Sequence, residues 1–256
     1  MDIEKQVRQN REFMKRSFID WAELERHKTD QDKGIPRPPV EKPYNEKQAT
    51  IIDLPAPETV TMTEVNIFQC IKNRRSRRRY TDKKISLNEL SYLLYATQGI
   101  TRYDKDQGIP LRAVPSGGAV HSFETYLAIN RVEDIAPGLY RFLPLKHRLL
   151  LLFQDANMMD NITRACMGQD WVRHAAVFFA WSTIPYKHEW RYSVEAYKDI
   201  LQETGHICQN LYLACESISC GCCAIASYFQ DITDNYFRLD GIDEFILYTA
   251  AVGKTT

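Results

Sequence analysis

Six of the eleven prolines crowd between residues 34 and 58, at Pro36, Pro38, Pro39, Pro43, Pro55 and Pro57. Proline fixes φ and carries no backbone donor, so this stretch is neither a helix nor a central strand. It reads as an extended connector that divides the chain in two. Upstream, Ile3, Val7, Met14, Phe18 and Trp21 recur at helical spacing among charged residues, which predicts an amphipathic helix over 2–27. Its apolar stripe is narrow and interrupted by Asn10, a pattern suited to lying on a partner surface. Downstream, the main domain is expected to run 59–256, with 1–58 as helix and connector.

Beyond Thr59 the periodicity alternates between helical and extended. Residues 64–74 read as a helix. Ser86-Leu87-Asn88-Glu89 is a capping box opening a second one, with Leu87, Leu90, Leu94 and Thr97 on one face and Gly99 as its stop. The runs 125–130, 138–143, 148–153 and 175–182 are rich in aliphatic and aromatic residues and read as strands, with Pro137-Gly138 turning the chain into the second. A long helix over 193–218 carries a stripe of Ile200, Thr204, Ile207, Cys208, Leu211, Cys215 and Ile218. Two more strands, 222–228 and 245–252, flank a short helix near 231–238. Helices and strands mix without a regular βαβ repeat, so the fold class is α+β around one mostly antiparallel sheet.

Composition narrows the function. Thirty-three basic residues balance thirty-three acidic ones, which argues against a protein that coats nucleic acid or anionic membrane. No apolar run approaches the roughly 20 residues that span a bilayer. The first residues mix acids and bases without an apolar segment, so no secretory signal is read and a cytoplasmic protein is expected. Seven cysteines is an odd number, and four of them lie between Cys215 and Cys223. They read as buried thiols or as part of a metal site. The second ligand cluster a metal would need is missing, so no metal is expected.

Two segments carry potential chemistry. Arg74-Arg75-Ser76-Arg77-Arg78-Arg79-Tyr80 packs five arginines into six positions. The bare pattern fits a solvated charge run or a nucleic-acid patch. Its place between two helices also lets guanidinium forks and a serine hydroxyl converge on one phosphate. The second segment is Arg112-Ala113-Val114-Pro115-Ser116-Gly117-Gly118-Ala119. It reads either as a plain turn or as a loop whose paired glycines let the backbone approach a flat ligand. A Rossmann glycine motif, Walker A, H-E-x-x-H and G-x-S-x-G are all absent.

R-x-S-x-R-x-Y at 74–80, P-S-G-G-A at 115–119 and G-H-x-x-Q-N-L-Y-L-A at 205–214 occur in an order that resembles the SagB-type dehydrogenases. These are a branch of the nitroreductase-like FMN oxidoreductases. Supporting matches are Leu93 to Ile100, Pro137-Gly138-Leu139-Tyr140 and Ala251-Val252-Gly253-Lys254. The resemblance covers about residues 67–254 and leaves the N-terminal helix and connector outside. It implies a nitroreductase-like fold, a sheet between helices in an intertwined homodimer, with one FMN in each interface cleft. By it, Arg74, Arg75, Ser76 and Arg78 match positions that grip the FMN phosphate and polar tail. Pro115, Ser116, Gly117 and Gly118 match the loop along the isoalloxazine ring. Gln209 and Asn210 match a Q-N pair near the dimer seam, and Lys254 matches a second phosphate contact. Ala226 and Ser227 belong to a segment whose backbone amide faces flavin N5, where the family more often has glycine at 226.

Two further departures bear on the substrate. Where azoline-oxidising members have a Lys-Tyr pair, this chain reads Arg191-Tyr192, and arginine is a poor general base. Tyr192 can still move a proton. His121-Ser122 replaces a Tyr-Pro pair, which makes His121 either a proton donor beside the flavin or a structural histidine. His206, inside the long helix, is expected to pack or hydrogen-bond. The resemblance implies ping-pong transfer of hydride through flavin N5 to or from a small-molecule substrate, with NAD(P)H as a candidate donor and no nucleophilic side chain required. The competing reading is a non-catalytic flavin-binding sensor or partner subunit. Nucleic acid and membrane are not expected partners.

Overall fold

The computed structural model describes residues 3–15, 27–104 and 108–255. In chain order the elements are α1 (Ile3–Phe13), β1 (Ile51–Asp53), α2 (Ile67–Asn73), α3 (Leu87–Gln98), β2 (Ile100–Asp104), β3 (Ile109–Arg112), β4 (Phe123–Ile129), β5 (Gly138–Leu143) and β6 (Arg148–Phe153). They continue with α4 (Met158–Ala165), β7 (Val177–Thr183), α5 (Pro185–Tyr192), α6 (Ala196–Ser217), β8 (Cys220–Ile225), α7 (Gln230–Tyr236) and β9 (Phe245–Lys254). Seven strands form one sheet in the order β1-β6-β5-β4-β7-β9-β8, with every neighbouring pair antiparallel. β2 and β3 form a separate hairpin.

The central strands are apolar on both faces because helices cover both. On β4, Phe123, Leu127 and Ile129 join one core and Tyr126 and Ala128 the other. On β7, Val177, Phe179 and Trp181 alternate likewise with Phe178 and Ala180. This is the two-residue alternation of a strand, with a hydrophobic layer waiting on each side. α3 and α6 close the first face through Leu90, Leu93, Leu94, Ile207, Leu211 and Cys215. α4, a turn at Val172 and Phe237 after α7 close the second. The architecture is α+β with a large antiparallel sheet between helices, as the sequence predicts.

Local signals hold at α3. Ser86 accepts from the Glu89 amide while the Glu89 carboxylate accepts from the Ser86 amide, and Gly99 follows the last turn. Gly99 is not left-handed; a Cβ there would overlap Tyr95, so close approach explains the glycine. Other elements differ from expectation. The strand predicted over 222–228 occupies Cys220–Ile225, and Ala226 to Tyr228 leave the sheet. α4, α5 and the β2–β3 hairpin were not anticipated, because each is short and polar on one side. The N-terminal helix is described over Ile3–Phe13, where it buries no residue. Its expected continuation through Phe18 and Trp21 lies outside the described residues.

The proline connector is extended and tied to the main body. It adds β1 to the sheet edge against β6. Its carbonyls accept from buried cations: Val40 from Arg112 (3.3 Å) and Lys187 (3.1 Å), and Lys42 from Arg141 (2.7 Å). The Trp190 indole donates to the Ile35 carbonyl at 2.8 Å. All seven cysteines are buried free thiols, and burial pushes Cys166 and Cys208 up to about 12. Among the described residues no helix is long and apolar enough to cross a membrane, and no group of histidines, cysteines and acids could hold a metal ion.

Candidate active site

The residues singled out in the sequence fall into two neighbourhoods along α6. The first is the free edge of β8. Arg74 caps α2 in an extended conformation, so the arginine run leaves the helix straight and lies along β8. Ser76 bridges Cys222, and the Arg77 amide donates to the Cys222 carbonyl at 3.0 Å. The Ser76 hydroxyl lies 2.9 Å from the Tyr212 hydroxyl, which also accepts from the Ala224 amide at 2.8 Å. The Arg74 guanidinium sits over the Tyr212 ring at 5.2 Å, and that of Arg78 over Trp171 at 5.6 Å. Arg75 folds back onto the carbonyls of Lys72 and Arg74.

Of the five arginines, Arg77 alone has a carboxylate partner among the described residues, Glu216 at 3.1 Å. Ala226 and Ser227 are exposed where β8 ends, the Ser227 carbonyl accepting from Gln169. This edge is therefore rich in donors and short of acceptors, the chemistry of an anion site. Lys254 does not face it. Its ammonium is held by Glu89 on α3 and by the Ile218 carbonyl.

The second neighbourhood is the loop between β3 and β4. The Ser116 hydroxyl accepts from the His121 amide at 2.9 Å. The Gly117 amide donates to Glu203 at 3.1 Å, and His188 holds the same carboxylate oxygen at 2.9 Å. Gly118 has a φ of 56°, in the left-handed region glycine occupies without strain. A Cβ on Gly118 would overlap Arg191 Nε and stand 2.5 Å from the Tyr192 hydroxyl. The loop and the last turn of α5 are thus in direct contact. The Tyr192 ring stacks on that of His188, with centroids 6.1 Å apart.

Beneath the loop lies a buried ionic network. Arg112, 7% exposed, donates to Gln98 (2.5 Å) and to the Phe123 carbonyl (3.1 Å). Lys187 pairs with Glu124 at 2.9 Å, both nearly sealed from solvent. Burial alone would raise the Glu124 carboxyl, but Lys187, Arg141 and Arg112 outweigh it and hold it low. His121 is 4% exposed and has a φ of 55°. Burial, reinforced by the positive field of Arg112 and Arg37, pushes its pKa down to about 3. It is a neutral imidazole at ordinary pH, so any proton it donates comes from the neutral ring.

α6 links the two neighbourhoods, with Glu203 under the loop and Tyr212 under the arginine edge. At 1.5 Å per residue they lie roughly 13 Å apart along the helix. Between them Asn210 donates to the Ala96 carbonyl at 2.9 Å, and Gln209 is exposed. His206, expected to pack or hydrogen-bond, is also exposed. The structure therefore groups Arg74, Arg75, Ser76 and Arg78 with Ala226 and Ser227, and groups Pro115 to Gly118 with His121 and Tyr192. It does not join the two groups within one chain.

Sequence reasoning missed His188, Glu203 and Arg37. A signal existed for Glu203, an acid between Ile200 and Ile207 on the buried stripe of α6, where a carboxylate needs a partner. His188 sits on the unanticipated α5 and left no such trace.

Known proteins place the chain. A relative named as a candidate nitroreductase in Methanocaldococcus jannaschii is 26% identical over 204 residues, 79% of this chain and 96% of its own. A solved structure of a candidate nitroreductase from Anabaena variabilis superposes with a TM-score of 0.74 at 20% identity, covering 94% of this chain and 45% of the other. A candidate nitroreductase from Desulfovibrio desulfuricans, solved in complex with FMN, gives 0.51 at 20% identity over 76% of this chain and 88% of the other. Residues 71–254 match the sequence profile of the Nitroreductase family, and the chain belongs to that family of oxidoreductases.

Proposed function

We propose that this chain is an FMN-dependent oxidoreductase, of the SagB-type dehydrogenase branch, acting on a small organic substrate. The observation that carries the reading is the β8 edge. Four guanidinium groups without an acid partner among the described residues, and one serine hydroxyl, line a single extended segment there. That donor set fits a terminal phosphate. Arg74, Arg75, Ser76 and Arg78 would hold it, with the backbone of Ala226 and Ser227 beside the ring system. A phosphate contact from Lys254 would require it to leave Glu89. Pro115 to Gly118, with Gly118 left-handed and free of a side chain, supply a flat floor.

The gap between the two groups fits an intertwined homodimer in which one chain's arginine edge meets its partner's loop. The α6 face between them supports this, since Tyr197, Leu201, Gly205, His206 and Gln209 form an exposed stripe suited to a second copy. When bound, FMN would supply two-electron hydride chemistry at N5 in a ping-pong cycle, with NAD(P)H as the candidate donor. The chain's own residues would orient the reactants, exclude water and hold a proton at the Tyr192 hydroxyl. Its placement against Gly118 supports that role.

The test is to strip the protein of any chromophore and titrate FMN back, following quenching of flavin fluorescence. Arg74→Gln and Ser76→Ala are expected to weaken binding about tenfold or more, the loss typical of a charge-assisted contact. Arg79→Gln should stay within about twofold of wild type. Equal affinities in all the variants would contradict the assignment.

A further inference from the structure

We infer that Arg37 and Arg191 form the carboxylate-binding subsite of this enzyme, so that its substrate is a small organic acid. The inference rests on the flavin reading for the word substrate, but not for the binding site itself. The two guanidinium groups stand on adjacent residues of the glycine loop. Arg37 donates to the Ala119 carbonyl at 2.5 Å, and Arg191 lies across Gly118, where a Cβ would overlap its Nε. Both are half-buried, and neither forms an ion pair with a carboxylate among the described residues. Burial, followed by the charge of Arg191, pulls Arg37 below its ordinary value.

Two neighbouring cations with no carboxylate partner among the described residues raise each other's energy unless an anion joins them. Two nearby acids are already engaged, Glu203 by His188 and the Gly117 amide and Glu124 by Lys187.

The surroundings favour a planar two-oxygen anion over phosphate. Guanidinium forks match a carboxylate edge to edge. A phosphate would call on backbone amides for its remaining oxygens, and the Gly117 amide is already committed to Glu203. The Tyr192 hydroxyl is close by, 2.5 Å from the position a Gly118 Cβ would take, with no hydrogen-bond partner among the described residues. Trp190 and Tyr192 offer rings, Arg37 standing 6.0 Å from the first and Arg191 5.6 Å from the second. The departure from lysine at position 191 thus replaces a tunable base with a fixed anion-binding fork.

Calorimetric titration of the purified protein with benzoate, its neutral isostere benzamide and inorganic phosphate tests the assignment. Benzoate is expected to bind at least about tenfold more tightly than benzamide or phosphate. Arg37→Gln and Arg191→Gln should each abolish that preference, and Arg191→Lys should restore part of it, with thermal unfolding unchanged as the check on folding. Benzoate binding no tighter than benzamide, or a preference that survives both glutamine variants, would overturn the inference. A preference for phosphate would overturn the carboxylate class. A colourless protein that still discriminates benzoate through Arg191 would retain the subsite and remove the flavin reading. A yellow protein without discrimination would do the reverse.

Discussion

His121 shows how far burial can change what a residue is able to do. The sequence offers a histidine in a loop beside a glycine pair, equally suited to proton transfer or to structure. The structure holds its pKa at about 3, far below the 6.5 it has in an unfolded chain. As pH falls below that unfolded value, the unfolded chain takes up a proton that the folded chain refuses. Stability is therefore lost from about pH 6.5 down toward pH 3, by up to about 1.4 kcal/mol per pH unit. His121→Asn keeps a residue that tolerates the positive φ and removes the titrating ring. Denaturant unfolding at pH 6, 5 and 4 should give the variant a visibly flatter slope than wild type, with half-buried His147 supplying part of what remains. Parallel slopes would show that His121 titrates normally. The cause was not legible in sequence, because burial dominates the shift and the cations that reinforce it, Arg112, Arg37 and Lys187, come from three separate segments.

At the scale of elements, long or capped units were legible and short ones were not. β5 and β6 match their predicted bounds, because each is a short, mostly apolar segment set off by turn residues, Pro137-Gly138 before the first and Pro144 to His147 between them. α3 is fixed by the reciprocal Ser86–Glu89 bonds. α5 escaped notice because eight residues with a proline start and four charged or histidine side chains carry little periodicity. The proline pattern excludes a helix or central strand in the connector, but its bonding to buried cations cannot be seen in that pattern. A chain beginning at Thr59 would strip acceptors from Arg112, Arg141 and Lys187 and remove β1 from the sheet. Each buried donor left unsatisfied costs about 1–3 kcal/mol, so the truncated protein should unfold at a clearly lower urea concentration. The connector is bound to its own chain, against the expectation that it wraps a partner, and we propose that α1, which buries no residue, packs on the partner subunit. Light scattering of the same truncation checks this, and an unchanged dimer of unchanged stability would contradict both claims.

For the whole molecule, the resemblance assigns the arginine run and the Ser-Gly-Gly loop to one flavin, and the chain belongs to the Nitroreductase family. What the sequence could not reveal was their separation along α6, since linear spacing says nothing about which groups face each other. We propose that residues 59–256 form the FMN-binding domain and that two copies complete each site. The most direct test is the absorbance spectrum of the purified protein, followed by release and identification of any chromophore. FMN at about one copy per chain is the result expected of a site built from the β8 edge and the glycine loop. A colourless protein that takes up no added FMN would contradict it, and the assignments of Arg74, Ser76 and Gly117 would fall together.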